Sequence, residues 1–224
     1  METLYNKNSL VFWSEKDLIL RKFFEDIITI ELKECLLSLN PAFSIVKCDA
    51  PLFIPNEFVH KNYTSQDVYF QDVDDIALRP ETTASSYKYA EFLLNKHNDI
   101  KYRLPLVVYQ HNKSFRKEQD KTLSNMRLKE FYHLEYQILF SDSTKNDYYP
   151  HIVECINNIV SKYVNPSHIE ESDRLPSYSE VTTDVVMDHN NMEVCSISKR
   201  TDFTLPNVLV IEVALGTDRL IFNK

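Results

Sequence analysis

From Leu104 to Glu118 the chain reads Leu-Pro-Leu-Val-Val-Tyr-Gln-His-Asn-Lys-Ser-Phe-Arg-Lys-Glu, and from Met126 to Phe140 it reads Met-Arg-Leu-Lys-Glu-Phe-Tyr-His-Leu-Glu-Tyr-Gln-Ile-Leu-Phe. Both runs alternate in the period of a strand. The polar Gln119 to Asn125 between them reads as a hairpin loop. Successive side chains of a strand point to opposite faces. In the second run Arg127, Lys129, Phe131, His133, Glu135 and Gln137 share one face. Leu128, Tyr132, Leu134, Tyr136 and Ile138 form the other, with Glu130 as an exception. In the first run Arg116 and Glu118 share a face and Phe115 points away. If the hairpin aligns the polar faces, arginines, a lysine and carboxylates gather around one aromatic ring. Such a set suits a nucleotide, with arginine for phosphate, an aromatic for the base and carboxylate for an amine or metal. A solvent-facing strand laced with ion pairs gives the same pattern.

Farther along, Val208 to Leu215 is an apolar run broken by Glu212. A buried carboxylate is costly unless paired or metal-bound. Arg219 follows seven residues later, after Gly216. The plainer alternative is that Glu212 pairs with a core arginine.

Working outward, Asp17 to Leu39 carries apolar residues at helical spacing, and Asn40-Pro41 ends that helix. Phe43 to Lys47 reads as a short strand, and Val68 to Leu78 holds two more. Pro80 suits the first turn of a helix running to about Asn95, with Glu81 near its positive end. His151 to Val164 is amphipathic. Ser167 to Tyr178 reads as a loop. Thr182 to Met187 and Met192 to Ser198 read as a hairpin, and Asp218 begins a last helix. Hairpin-joined strands with helices between groups predict an α+β (α/β) domain with a mainly antiparallel sheet.

The 224 residues suit one large domain or two small ones, and 43% hydrophobic residues suit a globular core. No apolar run reaches 18 residues, and the polar start lacks a signal-peptide pattern, so the sequence predicts a soluble, cytoplasmic protein. Cys35, Cys48, Cys155 and Cys195 are too scattered for a zinc ribbon or a disulfide framework. The formal charge of −8 argues against a strong grip on a nucleic-acid backbone. Gly216 is the only glycine, which excludes glycine-rich phosphate loops of both the Rossmann and the P-loop kind. His133 reads as a site wall or core histidine, Trp13 as packing, and His189 with Asp184 and Asp188 as a solvated turn.

Five segments together resemble the class II aminoacyl-tRNA synthetases, class IIa, and among them the glycyl branch. Asn40 to Pro55 resembles motif 1, with Pro51 as its proline. Ser114-Phe115-Arg116-Lys117-Glu118, then Met126-Arg127-Leu128-Lys129-Glu130-Phe131, resembles motif 2. Gly216-Thr217-Asp218-Arg219 resembles motif 3. Leu78-Arg79-Pro80-Glu81-Thr82 is similar to the glycyl R-P-E-T segment. Ser198-Lys199-Arg200-Thr201-Asp202-Phe203-Thr204-Leu205 is similar to its N-R-T-D-[YF]-x-L segment. Val11-Phe12-Trp13 resembles the threonyl branch.

The resemblance implies a six-stranded antiparallel sheet flanked by helices and a homodimer through motif 1. It implies ATP and Mg2+ as cofactors and glycine or another small amino acid as substrate. Arg116 would bind the α-phosphate, Glu118 the adenine side, and Arg127 a terminal phosphate. Phe131 and Arg219 would sandwich the adenine, with Arg219 also reaching the γ-phosphate. Glu81 and Glu135 would receive the ammonium group, with Arg200 near the carboxylate or ordering those acids. Glu212 would complete the acidic pocket or hold magnesium. Ala214 stands where the family has serine in E-P-S, Gln137 replaces a second glutamate, and Thr83-Ala84-Ser85 replaces A-Q-G. The motif 2 loop, which would approach a tRNA acceptor end, keeps Lys121 as its only cation. The chain reads as a single catalytic domain, 1–224, and the five residues after Arg219 leave no room for an anticodon-binding domain. The function implied is ATP-dependent amino acid activation with transfer to tRNA. The alternatives are an altered, synthetase-like binding or regulatory protein, and a ligase joining an amino acid to a non-tRNA acceptor.

Overall fold

Ser14 starts the first helix, α1 (Glu15–Leu39), with a capping box: its hydroxyl accepts from Asp17 N at 3.3 Å, and Asp17 Oδ2 accepts Ser14 N at 3.0 Å. Asn40 closes it, and Pro41 cannot continue it. Phe24, Ile28, Leu32 and Leu36, four residues apart, form its buried stripe. The computed structural model describes residues 4–5, 11–59, 63–71, 74–95, 103–117, 126–144, 147–173 and 175–224.

Before α1, β1 (Leu4–Tyr5) pairs with β2 (Val11–Phe12). After it come β3 (Ser44–Lys47), β4 (Phe53–Pro55), β5 (Phe70–Gln71), β6 (Ile76–Leu78) and α2 (Thr83–Leu94). The long pair β7 (Leu106–Phe115) and β8 (Glu130–Ser141) precedes α3 (Tyr149–Tyr163). The chain ends in β9 (Ser167–Glu171), β10 (Ser179–Met187), β11 (Glu193–Arg200), β12 (Val208–Gly216) and α4 (Thr217–Phe222). Among the described residues the main sheet has seven strands in the order β3-β7-β8-β12-β11-β10-β9, and β4-β6-β5 make a small second sheet.

This departs from a six-stranded antiparallel sheet. The β3–β7 pair is parallel, with α2 in the crossover between them, so the sheet is mixed. The segment read as a loop from Ser167 begins with β9, an edge strand paired to β10. Its side chains are mostly half-exposed or exposed, so no apolar alternation marked it. Pro80 and Glu81 stand ahead of α2, because Thr82, its first flanking residue, is tied to Glu135. β8 starts at Glu130, later than the alternation suggested, and residues 118–125 lie outside the described residues. No helix among the described residues is long and apolar enough to cross a membrane.

α1, α3 and α4 cover one face of the sheet, where Leu134, Tyr136, Ile138, Ile211, Val213 and Leu215 meet the α1 stripe. On the opposite face α2 covers one end, with Tyr87, Ala90 and Leu93 on Leu106, Val108 and Leu139. The rest of that face is polar.

Two ion pairs tie α1 to the sheet. Arg21 Nη2 donates to Asp218 Oδ1 at 3.0 Å, and Asp218 Oδ2 accepts Tyr132 N at 2.9 Å. The Arg21 guanidinium lies over Tyr132 and Trp13, so Trp13 is a packing residue. Glu25 contacts Lys47, and His111 Nδ1 is 3.1 Å from its Oε2. His111, and then Lys47, hold the Glu25 carboxyl down at about 2 against the opposing effect of burial. Because this lies below the ordinary 4.5, the stabilisation is fully present above that pH and is lost as the pH falls through about 2. Glu25→Gln is expected to lower stability to urea at neutral pH, with the gap to wild type narrowing below about pH 3. An equal gap at both pH values would contradict this role.

Candidate active site

Strand register assembles the polar face. Gln110, Glu135, Ala214, Ser196 and Asp184 stand opposite one another on β7, β8, β12, β11 and β10. Gln137, Glu212, Ser198 and Thr182 form the next row. Their sequence neighbours Leu134, Tyr136 and Val213 are in the helix-covered core, so alternation sends both rows to the other side.

Over these rows lies a cavity of about 270 Å³. Its walls bring together Glu81, Arg116, Arg127, Phe131, Glu135, Glu212, Ala214 and Arg219, all singled out from the sequence. Arg200 stands beside it, and Glu118 lies outside the described residues. Beyond Ala214 the cavity continues over Ser196, Ser198, Thr182 and Asp184.

The carboxylates Glu135 and Glu212 are densely bonded. Glu135, 1% exposed, accepts Thr82 N at 2.7 Å and Thr82 Oγ1 at 2.5 Å on Oε2. The Thr83 hydroxyl is 2.8 Å from Glu135 Oε1 and 2.7 Å from Glu212 Oε2, so its one proton serves either acid. Arg200 Nη1 donates to Glu212 at 2.9 and 3.0 Å, and Gln137 Nε2 donates to Glu212 Oε2 at 2.7 Å. The other side of Arg200 holds Asp202, through Nε at 3.0 Å and Nη2 at 2.6 Å, and Tyr178 stacks 3.8 Å from its guanidinium. Burial alone pushes the Glu135 carboxyl up, but the His133 imidazole and the Thr82 hydrogen bonds hold it well below the usual range. Burial raises the Glu212 carboxyl, against the pull of Arg200 and with Glu135 and Glu81 adding to the rise.

The R-P-E-T segment is braced from below. Arg79, fully buried, donates Nε to Lys113 O at 2.9 Å and Nη1 to Gln110 Oε1 at 3.2 Å. Gln110 Nε2 in turn donates to Thr82 O at 3.2 Å and to Ser86 Oγ at 2.8 Å. That network fixes where Glu81 enters the cavity.

Arginines line the same cavity. Arg116 Nε donates to Pro80 O at 3.0 Å, and its guanidinium lies 5.4 Å from the Phe131 ring and 5.6 Å from the Tyr63 ring. Arg219 Nη1 donates to Glu193 O at 2.7 Å and packs over Gly216, whose added Cβ would meet Arg219 Cδ at an ordinary 3.5 Å.

Sequence reading missed Tyr63, Tyr178 and Thr82 as site residues. Tyr178 lines the cavity and Tyr63 touches Glu81 and Arg116, both from irregular segments, where no periodicity points inward. Glu212 fits a buried ion pair and does not fit a magnesium ligand, because Arg200, Gln137 and Thr83 occupy both oxygens. Among the described residues no group of three His, Cys, Asp or Glu side chains forms a cation site.

No protein-family model matches the chain. Over 150 residues, 63% of the chain, it is 28% identical to the glycine--tRNA ligase of Mycoplasma capricolum subsp. capricolum and spans 32% of that protein. Seryl-tRNA synthetase of Pyrococcus horikoshii, complexed with ATP, superposes with a TM-score of 0.74 at 16% identity, over 96% of this chain and 52% of that one. Prolyl-tRNA synthetase of Cryptosporidium parvum, complexed with L-proline and AMP, gives 0.73 at 16% identity, over 98% of this chain and 48% of that one. The chain therefore spans about a third of the curated relative and about half of each solved structure. With its mixed sheet, its helices and its polar face, the chain has the catalytic fold of the class II aminoacyl-tRNA synthetases.

Proposed function

We propose that this chain activates glycine or another small amino acid with ATP, forming an aminoacyl-adenylate, and passes it to an acceptor such as tRNA. One observation carries the reading: a single cavity gathers Arg116, Arg127 and Arg219, the carboxylates Glu81, Glu135 and Glu212, and the aromatic ring of Phe131. In this reading the amino acid's carboxylate attacks the α-phosphorus, a new O–P bond forms, and the bond to the pyrophosphate oxygen breaks. The nucleophile is already ionised, so no general base is needed. The protein's work is positioning and charge neutralisation. Arg116, held by Pro80 O, faces the charge that develops at phosphorus. Phe131 and Arg219 hold the base, Arg127 a terminal phosphate, and Glu81 the ammonium group. Magnesium would accompany the phosphates, but the described carboxylates offer it no built site and no step here runs through it.

ATP–pyrophosphate exchange against the twenty amino acids tests the proposal. Exchange with glycine or one other small amino acid is expected. No exchange with any of them, with or without tRNA, would overturn it. The second reading, a synthetase-like binding or regulatory protein, is favoured by the Arg200–Glu212 pair, which neutralises one acid of the pocket. It predicts ATP binding without exchange. A ligase for a non-tRNA acceptor is favoured by the charge of −8, and it predicts exchange without tRNA charging.

The proposal includes a homodimer through the motif 1 segment, Asn40 to Pro55, extended by the helix that precedes it. Ile19, Phe23 and Ile30 leave an apolar stripe along α1 that is 64%, 42% and 52% exposed. Sedimentation at micromolar concentration is expected to show a dimer, and Ile19→Glu with Ile30→Glu a monomer. A wild-type monomer would count against the dimer.

A further inference from the structure

Of the carboxylates that line the cavity, Glu81, Glu135 and Glu212 are the ones read as the amino-acid pocket, and they are not equally available. The described hydrogen bonds engage Glu135 Oε2 twice through Thr82, and both oxygens of Glu212 through Arg200 and Gln137, with the one Thr83 proton shared between Glu135 Oε1 and Glu212 Oε2. Glu81 differs. Its Oε2 accepts the Tyr63 hydroxyl at 3.0 Å, while Arg200 Nη2 stands 4.0 Å from its Oε1, too far for a hydrogen bond. The same tyrosine flanks Arg116. The Arg116 guanidinium lies 5.6 Å from the Tyr63 ring and 5.4 Å from the Phe131 ring. One side chain therefore touches both groups that the proposed reaction must hold in fixed relation.

The position of Tyr63 is itself built. Thr64 N and Oγ1 both donate to Asp67 Oδ2, at 2.8 and 2.7 Å. Lys117, next to Arg116, donates its N–H to Asp67 O at 2.8 Å and its ammonium to Ser65 O at 2.7 Å. The segment that carries Tyr63 is thus pinned to the one that carries Arg116.

We propose that Tyr63 is a positioning residue that aims Glu81 at the substrate's ammonium group with its hydroxyl and flanks Arg116 with its ring. This rests on the amino-acid-activation reading above. The two parts of the side chain then have separable effects. Tyr63→Phe removes only the hydroxyl. It is expected to raise the amino acid KM by roughly ten- to a hundred-fold, the effect of one hydrogen bond to a charged group. The ATP KM, kcat and melting temperature should stay near wild type. Tyr63→Leu removes the ring as well, and should also raise the ATP KM and lower kcat.

The experiment is ATP–pyrophosphate exchange by wild type, Tyr63→Phe and Tyr63→Leu, with both substrates varied and thermal melts in parallel. An amino-acid-specific KM rise in Tyr63→Phe, joined by an ATP effect only in Tyr63→Leu, supports the proposal. Wild-type kinetics in Tyr63→Phe, or equal shifts in both KM values with a lowered melting temperature, overturn it and leave the activation reading standing. Absence of exchange in the wild type overturns both.

Discussion

Arg116→Ala is expected to cut ATP–pyrophosphate exchange by roughly 10²- to 10³-fold, the usual cost of removing one donor that faces developing charge. The fold should survive. Arg116 is half-buried just past the end of β7, and its contacts include one backbone carbonyl and two aromatic rings. Its melting temperature should therefore stay within a few degrees of wild type. Arg116→Lys should recover only part of the rate, because an ammonium keeps the charge and loses the planar fork. Unchanged exchange in Arg116→Ala would remove Arg116 from the reaction. A lost fold would leave the lysine variant to decide.

Arg200→Ala is expected to act on stability. The Arg200 side chain is 1% exposed and holds two carboxylates, Glu212 and Asp202. Removing one partner of a buried pair costs about 3–5 kcal/mol, because a charge remains without its counterion. For a domain of this size that corresponds to a fall of roughly 6–20 °C in melting temperature. Glu212→Gln, added to Arg200→Ala, should recover part of the loss by removing one uncompensated charge. Calorimetry of the single and double variants checks both statements. A single variant as stable as wild type would contradict the buried pair.

The same residue shows what the sequence could convey. Glu212 inside an apolar run demanded a partner, and a core arginine was one of the readings left open. Register supplies Arg200 from the neighbouring strand β11. α1 was legible because its buried stripe recurs every four residues. The β7–β8 hairpin was legible because polar and apolar residues alternate along both strands. β9 was not, since an exposed edge strand such as Ser167–Glu171 has no reason to alternate. The parallel β3–β7 pair was not either, because a crossover through α2 leaves no turn signature between its strands.

In the site, the residues on regular strands were legible as a set. Phe131, Glu135 and Glu212 follow from alternation, and Arg116 and Arg219 from the motifs beside them. Tyr63, Tyr178 and Thr82 were not, because they come from segments where spacing carries no direction. The saturation of Glu135 and Glu212 was also hidden, since it depends on hydroxyls from α2 meeting β8 and β12 across the sheet. Total charge does not exclude a local cluster of cations. A chain of net charge −8 still gathers Arg116, Arg127 and Arg219 around one cavity.

The most direct measurement is single-turnover incubation of the protein with α-labelled ATP, magnesium and glycine, followed by separation of labelled products. Wild-type protein is expected to yield labelled glycyl-adenylate with an equal amount of pyrophosphate, and Arg116→Ala neither above background. Absence of adenylate with glycine and with every other amino acid would contradict the proposed activation, leaving a class II fold that binds without activating.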